Sequence, residues 1–222
     1  VITSGPPHSL HLIGLRLKRD LGLKWISDFR DPWTEIDYFE QLPLTKRAIM
    51  RHYQLEREVI ENSDAVLLIG KSMKEQFKKY NNSINVITNG YDDINDSKNI
   101  SLDEKFTITH VGLMNADRNP ISFWSALSEL VKENKSFAKD YRVKIVGKVA
   151  SEVEKSIEKY NIQNVDFEGY LTHDKVREYQ KKSQVLLLAV NRVKSAKGII
   201  TGKIFEYLQA KRPILAVGPT DG

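Results

Sequence analysis

The feature that most constrains this chain is an alternation. Short apolar runs alternate with amphipathic stretches, and the pattern occurs twice, on either side of a polar, aperiodic segment, Tyr91–Lys105. In the first half the apolar runs are Val1–Thr3, Lys24–Ser27, Ala65–Ile69 and Ile84–Thr88. Helical spacing covers Ser9–Arg19, Thr45–Asn62 and Ser72–Tyr80, with Ser72 as a cap. In the second half the runs are Phe106–Val111, Tyr141–Val146, Val165–Phe167, Gln184–Val190 and one ending at Val217. Helices are read over Pro120–Asn134, Ser151–Tyr160 and Thr172–Lys182, and from Lys203. Strands alternating with helices, several of them apolar throughout, indicate parallel sheets covered on both faces. The expected fold is α/β: two Rossmann-like domains, 1–103 and 104–222, the first incomplete at its N-terminus. Val1 stands inside a strand-like run and Gly222 follows one, so both ends read as cut.

Composition narrows the function classes. The 222 residues are 41% hydrophobic and 28% charged, ordinary for a globular chain. With no cysteine, a disulfide framework and a thiolate metal site are excluded, which fits a reducing, cytoplasmic compartment. No apolar run approaches the length of a membrane span. The net charge of +5 (34 basic minus 29 acidic) suits an anionic ligand, an anionic membrane surface or nucleic acid, and equally a mildly basic solvated surface. No aromatic-rich basic motif supports nucleic acid. The helix bearing Arg16, Lys18 and Arg19 is compatible with peripheral contact at the inner membrane face.

In parallel sheets, ligands bind in the loops at the carboxyl ends of strands. In Ser4-Gly5-Pro6-Pro7-His8-Ser9, small residues precede a helix start and His8 is a potential proton carrier; an exposed helix entry explains the stretch equally well. In Asp28-Phe29-Arg30-Asp31-Pro32-Trp33, two carboxylates flank Arg30, suiting sugar hydroxyls, with the Trp33 indole for an apolar sugar face. A local Asp–Arg pair with Trp33 in the core explains it too. In Gly112-Leu113-Met114-Asn115-Ala116-Asp117-Arg118, the glycine allows close approach and Arg118 offers a planar fork of donors to a diphosphate. Gly147-Lys148 repeats that theme weakly. Gly202-Lys203-Ile204-Phe205-Glu206 places a lysine at a helix start, where phosphate is favoured, and a carboxylate one turn on, where it can accept from ribose hydroxyls. The same spacing suits a plain surface ion pair. No metal site is expected: Asp92, Asp93 and Asp96 lack EF-hand spacing, and His52, His110 and His173 are scattered, His110 inside an apolar strand.

Taken in order, Ser4–Ser9, Asp28–Trp33, Leu55-Glu56-Arg57, Asn89-Gly90-Tyr91-Asp92, His110-Val111-Gly112, Phe167-Glu168-Gly169-Tyr170 and Gly202–Leu208 resemble the retaining glycosyltransferases of family 4, which have the GT-B fold. The resemblance runs over essentially the whole chain. It implies two Rossmann-like domains facing across a cleft, an acceptor on the N-terminal domain, a nucleoside-diphosphate sugar on the C-terminal one, and no metal. It implies a sugar transfer to an acceptor hydroxyl with retention, in polysaccharide or glycolipid synthesis, the acceptor being a glycan or a lipid-linked glycan. Glu206 matches the glutamate on the ribose, and Arg118 lies where a basic residue meets the diphosphate. Gly112, Lys148, Gly202 and Lys203 complete the donor side. Gly5, Pro6, Asp28 and Trp33 line the acceptor side, and Asp31, His8 and Arg30 are the catalytic candidates, Asp31 or His8 taking the proton.

The chain also departs from the pattern. Where the family has the first glutamate of a pair, this chain has Gly198, and the glycine–arginine pair after the first donor-domain strand is Gly112-Leu113. A nucleotide-sugar 2-epimerase and a non-catalytic nucleotide-sugar or glycan-binding module share the expected architecture.

Overall fold

In the computed structural model, residues 1–36, 39–91, 100–191 and 201–219 are described. By their contacts they form two units, residues 1–89 and residues 90–191 with 201–219.

The first unit runs β1 (Ile2–Gly5), α1 (Leu10–Leu21), β2 (Ile26–Phe29), a 3₁₀ turn at Phe39–Gln41, α2 (Lys46–Asn62), β3 (Ala65–Leu68), α3 (Lys71–Phe77) and β4 (Ile84–Val86). Its strands form one parallel sheet in the order β1-β2-β3-β4. The strand signals come from residues buried between helices and sheet: Trp25, Phe29, Val66 and Leu68 meet Val59 and Ile60 of α2 in one core. Helix α1 runs on to Leu21 and stops at Gly22, which adopts φ 66° and donates its N–H to the Lys18 carbonyl at 2.9 Å. Thr45 caps α2, its hydroxyl accepting from the Ala48 amide at 3.2 Å. Ser72 is not the cap of α3: Lys71 is already helical, and the extended residue before it is Gly70.

The second unit runs β5 (Phe106–Val111), a 3₁₀ turn at Ala116–Arg118, α4 (Ile121–Glu133), α5 (Lys135–Asp140), β6 (Tyr141–Val146), α6 (Ser151–Lys159), β7 (Val165–Gly169), α7 (His173–Lys182), β8 (Val185–Ala189), α8 (Lys203–Ala210) and β9 (Ile214–Val217). Helix α5 is an element the sequence reading did not include, since that reading ends the helix at Asn134 and resumes with the strand at Tyr141. Asn134 ends α4 and restarts the chain, its side chain accepting from the Phe137 amide at 2.9 Å. The sheet is parallel, in the order β7-β6-β5-β8-β9. From β5 the chain steps outward to β7, then crosses back to place β8 on the other side of β5. A parallel sheet opens a crevice where its strand order reverses, at the carboxyl ends of the two strands involved. Here those strands are β5 and β8. Beneath them lie Trp124, Val143, Ile145 and Leu187, each with no exposed surface. Among the described residues no helix is long and apolar enough to cross a membrane.

Candidate functional site

The crevice at β5 and β8 is built from backbone first. Beyond β5 the chain turns at Gly112, φ 104°, and beyond β6 at Gly147, φ 122°. The Gly112 amide donates to the Val146 carbonyl at 2.7 Å, and the Met114 amide to the Lys148 carbonyl at 3.0 Å. A β-carbon on Gly147 would lie 2.6 Å from the Gly112 carbonyl oxygen, so the two turns pack as closely as glycine permits. Lys148 contributes its backbone here, while its side chain is exposed.

Two cations converge on this turn. Arg118 is held by its Nε, which donates to Asn191 Oδ1 at 2.5 Å just beyond β8. Lys203, the first residue of α8, lies across Gly112, and its Nζ donates to the Leu113 carbonyl at 3.4 Å. Burial, with the Arg118 charge second, pushes the Lys203 amine from 10.5 down to about 8, against the opposing pull of Glu206. Lys203 and Glu206 therefore do not form the surface ion pair that their spacing allows. Glu206 accepts instead from Gln180 Nε2 of α7 at 3.2 Å, which fixes it one turn along α8 from the lysine. Gly202 precedes α8 with no side-chain cap.

The floor of the crevice fixes α8. Tyr207 is fully buried; its hydroxyl accepts from the Val111 amide at 3.0 Å and donates to the Leu187 carbonyl at 3.2 Å. His110 is fully buried, as an apolar strand position requires, with Nδ1 3.0 Å from the same carbonyl. Since that oxygen can only accept, Nδ1 carries the proton. Burial, and then the Lys203 charge, hold the ring neutral with a pKa down to about 3.

In the first unit, the loops after β1 and β2 lie side by side at the carboxyl edge of the sheet. The Arg30 amide donates to the Gly5 carbonyl at 3.0 Å, Ser4 Oγ donates to Asp28 Oδ2 at 2.9 Å, and the Arg30 guanidinium stands 3.7 Å from Asp28 Oδ1. Asp31 follows, half-buried, and Pro6 is exposed at the loop surface. His8 is half-buried and stacks on Trp33 with ring centroids 5.3 Å apart; burial lowers its pKa, with the Pro32 backbone opposing. Trp33 presents no open face to a ligand. It is 6% exposed, and its indole N–H is donated to His52 Nδ1 of α2 at 3.1 Å.

Several residues here were given no role by the sequence reading. Glu56 is buried in α2 and accepts from the Thr34 amide and hydroxyl at 3.1 and 2.6 Å, which pins the turn beyond Trp33. His11, buried behind His8, faces Thr3 Oγ1 through Nδ1 at 2.9 Å and has a pKa lowered by burial to about 4. Asn191, Gln180 and Tyr207 place the second-unit charges. Of these, Tyr207 lies in the Gly202–Leu208 stretch and Asn191 is the polar residue just beyond a continuous apolar strand. Gly198 and Asp92, Asp93 and Asp96 lie outside the described residues.

No family model matches the chain, and no curated protein matches it. Solved structures do. Anabaena HepE, crystallised with UDP and glucose, matches 97% of this chain and 58% of its own at 10% identity and a TM-score of 0.65. A TarM variant from S. aureus, with fondaparinux, alpha-GlcNAc-glycerol and UDP, matches 99% and 42% at 16% identity and a TM-score of 0.65. WaaG, a glycosyltransferase involved in lipopolysaccharide biosynthesis, matches 92% and 62% at 16% identity and a TM-score of 0.57. The chain thus spans roughly half the length of these proteins. At such identities the likeness is one of fold: mixed α/β with parallel, Rossmann-like sheets, as in GT-B glycosyltransferases.

Proposed function

We propose that this chain belongs to a glycosyltransferase that moves a sugar from a nucleoside-diphosphate sugar to an acceptor hydroxyl, with retention. The observation that carries the reading is the pairing of Arg118 and Lys203 at the β5–β8 crevice. Two cations are held near one glycine turn, and among the described residues the hydrogen bonds that hold them go to neutral oxygens, which leaves positive charge for an anion. Glu206, an acceptor one helical turn away, suits ribose hydroxyls. UDP in the HepE and TarM structures supports the ligand class.

In the transfer the bond from the sugar's anomeric carbon to the diphosphate oxygen breaks, and a bond to the acceptor oxygen forms on the same face. Negative charge grows on the departing diphosphate, and prepositioned cations stabilise it without reorganisation. Arg118 and Lys203 take that role in place of a metal ion. Asp31 or His8 receives the acceptor proton, Arg30, Asp28 and Gly5 shape the acceptor loops, and Trp33 supports them by backing His8. The acceptor is a glycan or a lipid-linked glycan, met at the cytoplasmic face of a membrane.

The test is donor turnover by the protein containing this chain, with Lys203→Ala and Glu206→Ala. Loss of turnover in both is expected; wild-type rates in both overturn the assignment. An epimerised donor formed without acceptor overturns the transfer reaction in favour of an epimerase. Binding of donor without turnover in the presence of acceptors overturns it in favour of a binding module.

A further inference from the structure

The first ten residues of α2 turn one face outward, while their inner face packs inward, His52 and Tyr53 meeting Phe39 edge-on and Leu55 resting on the core. None of residues 46–55 is buried, and burial begins at Glu56, Val59 and Ile60. The outward face carries Lys46, Arg47 and Arg51, whose side chains have no hydrogen bond or ion pair among the described residues. No acidic residue occurs from Gln41 to Leu55; Glu40 is the nearest carboxylate before it. Two of the cations sit in the first turn, which holds no acidic residue. A positive charge there opposes the helix dipole, so these residues do not serve the stability of the helix. Apolar side chains are exposed among them: Met50 is 63% exposed, Tyr53 48% and, just before the helix, Leu42 40%.

Helix α1, whose basic residues suggested membrane contact from the sequence, is different. Arg16 pairs with Asp20, Lys18 with Asp64 and Arg19 with Glu58. Its charge is answered within the protein.

We propose that the outward face of the first half of α2, with Leu42, docks on the surface of an anionic phospholipid membrane. Unpaired cations interleaved with exposed apolar and amphipathic side chains on a helix match a charged headgroup layer over hydrocarbon. Nucleic acid would use the cations and leave Met50 and Leu42 unexplained. The helix also leads directly to the acceptor loops. It starts at the carboxyl edge of the sheet, and His52, between Arg51 and Tyr53, accepts from the Trp33 indole on which His8 stacks. Docking would therefore bring the acceptor loops to the lipid surface, where a lipid-linked acceptor is held. Only this last link rests on the transferase reading, and membrane binding is measured without donor or acceptor.

The experiment is sedimentation with vesicles of phosphatidylcholine, with and without phosphatidylglycerol. The wild type is expected to bind only the anionic vesicles, and less as salt rises. Each cation near such a surface contributes about fivefold, so Lys46→Gln/Arg47→Gln/Arg51→Gln should weaken binding about a hundredfold. Met50→Ser/Tyr53→Ser should weaken it further at unchanged salt dependence, while Arg16→Gln/Lys18→Gln/Arg19→Gln should leave it within a few-fold, all with native circular dichroism. Equal binding to neutral and anionic vesicles overturns the proposal. So does an equal loss in the α1 variant, no effect of the Met50/Tyr53 change, or a loss of polyuridylate binding in the α2 variant with vesicle binding intact.

Discussion

Lys203 and Gly112 are packed so that a β-carbon on Gly112 would stand 2.6 Å from the lysine Cε and 2.8 Å from Nζ. The glycine also holds φ 104°, where a side chain is strained. Gly112→Ala should therefore displace the lysine and cost about 1–3 kcal/mol of stability. Donor affinity by calorimetry should fall more than that of a control alanine in an exposed loop.

The Lys203 amine, at about 8 against an ordinary 10.5, makes the candidate site sensitive to pH on the alkaline side. Above pH 8 the lysine loses its proton and one of the two cations facing the anion. Affinity for UDP should decline through that range, and in Lys203→Arg the decline should disappear. Stability of the ligand-free protein moves the other way. A lysine whose pKa falls on folding is a cost fully present below about pH 8, relieved as pH rises towards 10.5.

His11 and His110 act on the acid side. Both are held neutral by burial, at about 4 and about 3, and both gain a proton on unfolding below pH 6.5. The unfolded state then binds more protons, so stability is lost as pH falls from 6.5 towards these values. Each histidine contributes a slope of up to about 1.4 kcal/mol per pH unit. Urea unfolding at pH 7, 5.5 and 4.5 measures it.

Tyr207→Phe removes both bonds of the buried hydroxyl and strands the Val111 amide. The expected cost is about 1–3 kcal/mol, with the fold retained. Because Tyr207 anchors α8, weaker donor binding should accompany the lower melting temperature.

In the first unit, Glu56→Ala leaves the buried Thr34 amide and hydroxyl without their acceptor. A loss of about 2–3 kcal/mol is expected, since a charged partner is removed. Amide exchange should quicken first in residues 30–34.

The strand and helix pattern was readable because parallel strands are buried on both faces, so Val185–Ala189 is apolar throughout. The glycine turns and the helix start at Lys203 were local signals too. What the sequence did not show is who answers whom across the fold. Lys203 and Glu206 suit an ion pair by spacing, yet the crevice turns one to Leu113 and the other to Gln180. Arg19 looks free in sequence, but Glu58 answers it from another helix. Trp33 reads either as a surface for a sugar or as a core residue, and the closing of the loop over α2 buries it. These outcomes depend on the folded arrangement, and local spacing carries no record of it.

The crossing of the chain back to β8 has a consequence for how the candidate site comes into being. Its first contact joins Arg118 to Asn191, 73 residues apart, and its second joins Lys203 to Leu113, 90 apart. Neither can form before the strand and helix that carry its two ends have come together, and long-range pairing of this kind is slow. Anion affinity should thus emerge late in refolding, and the crevice would report completion of the second unit rather than its collapse.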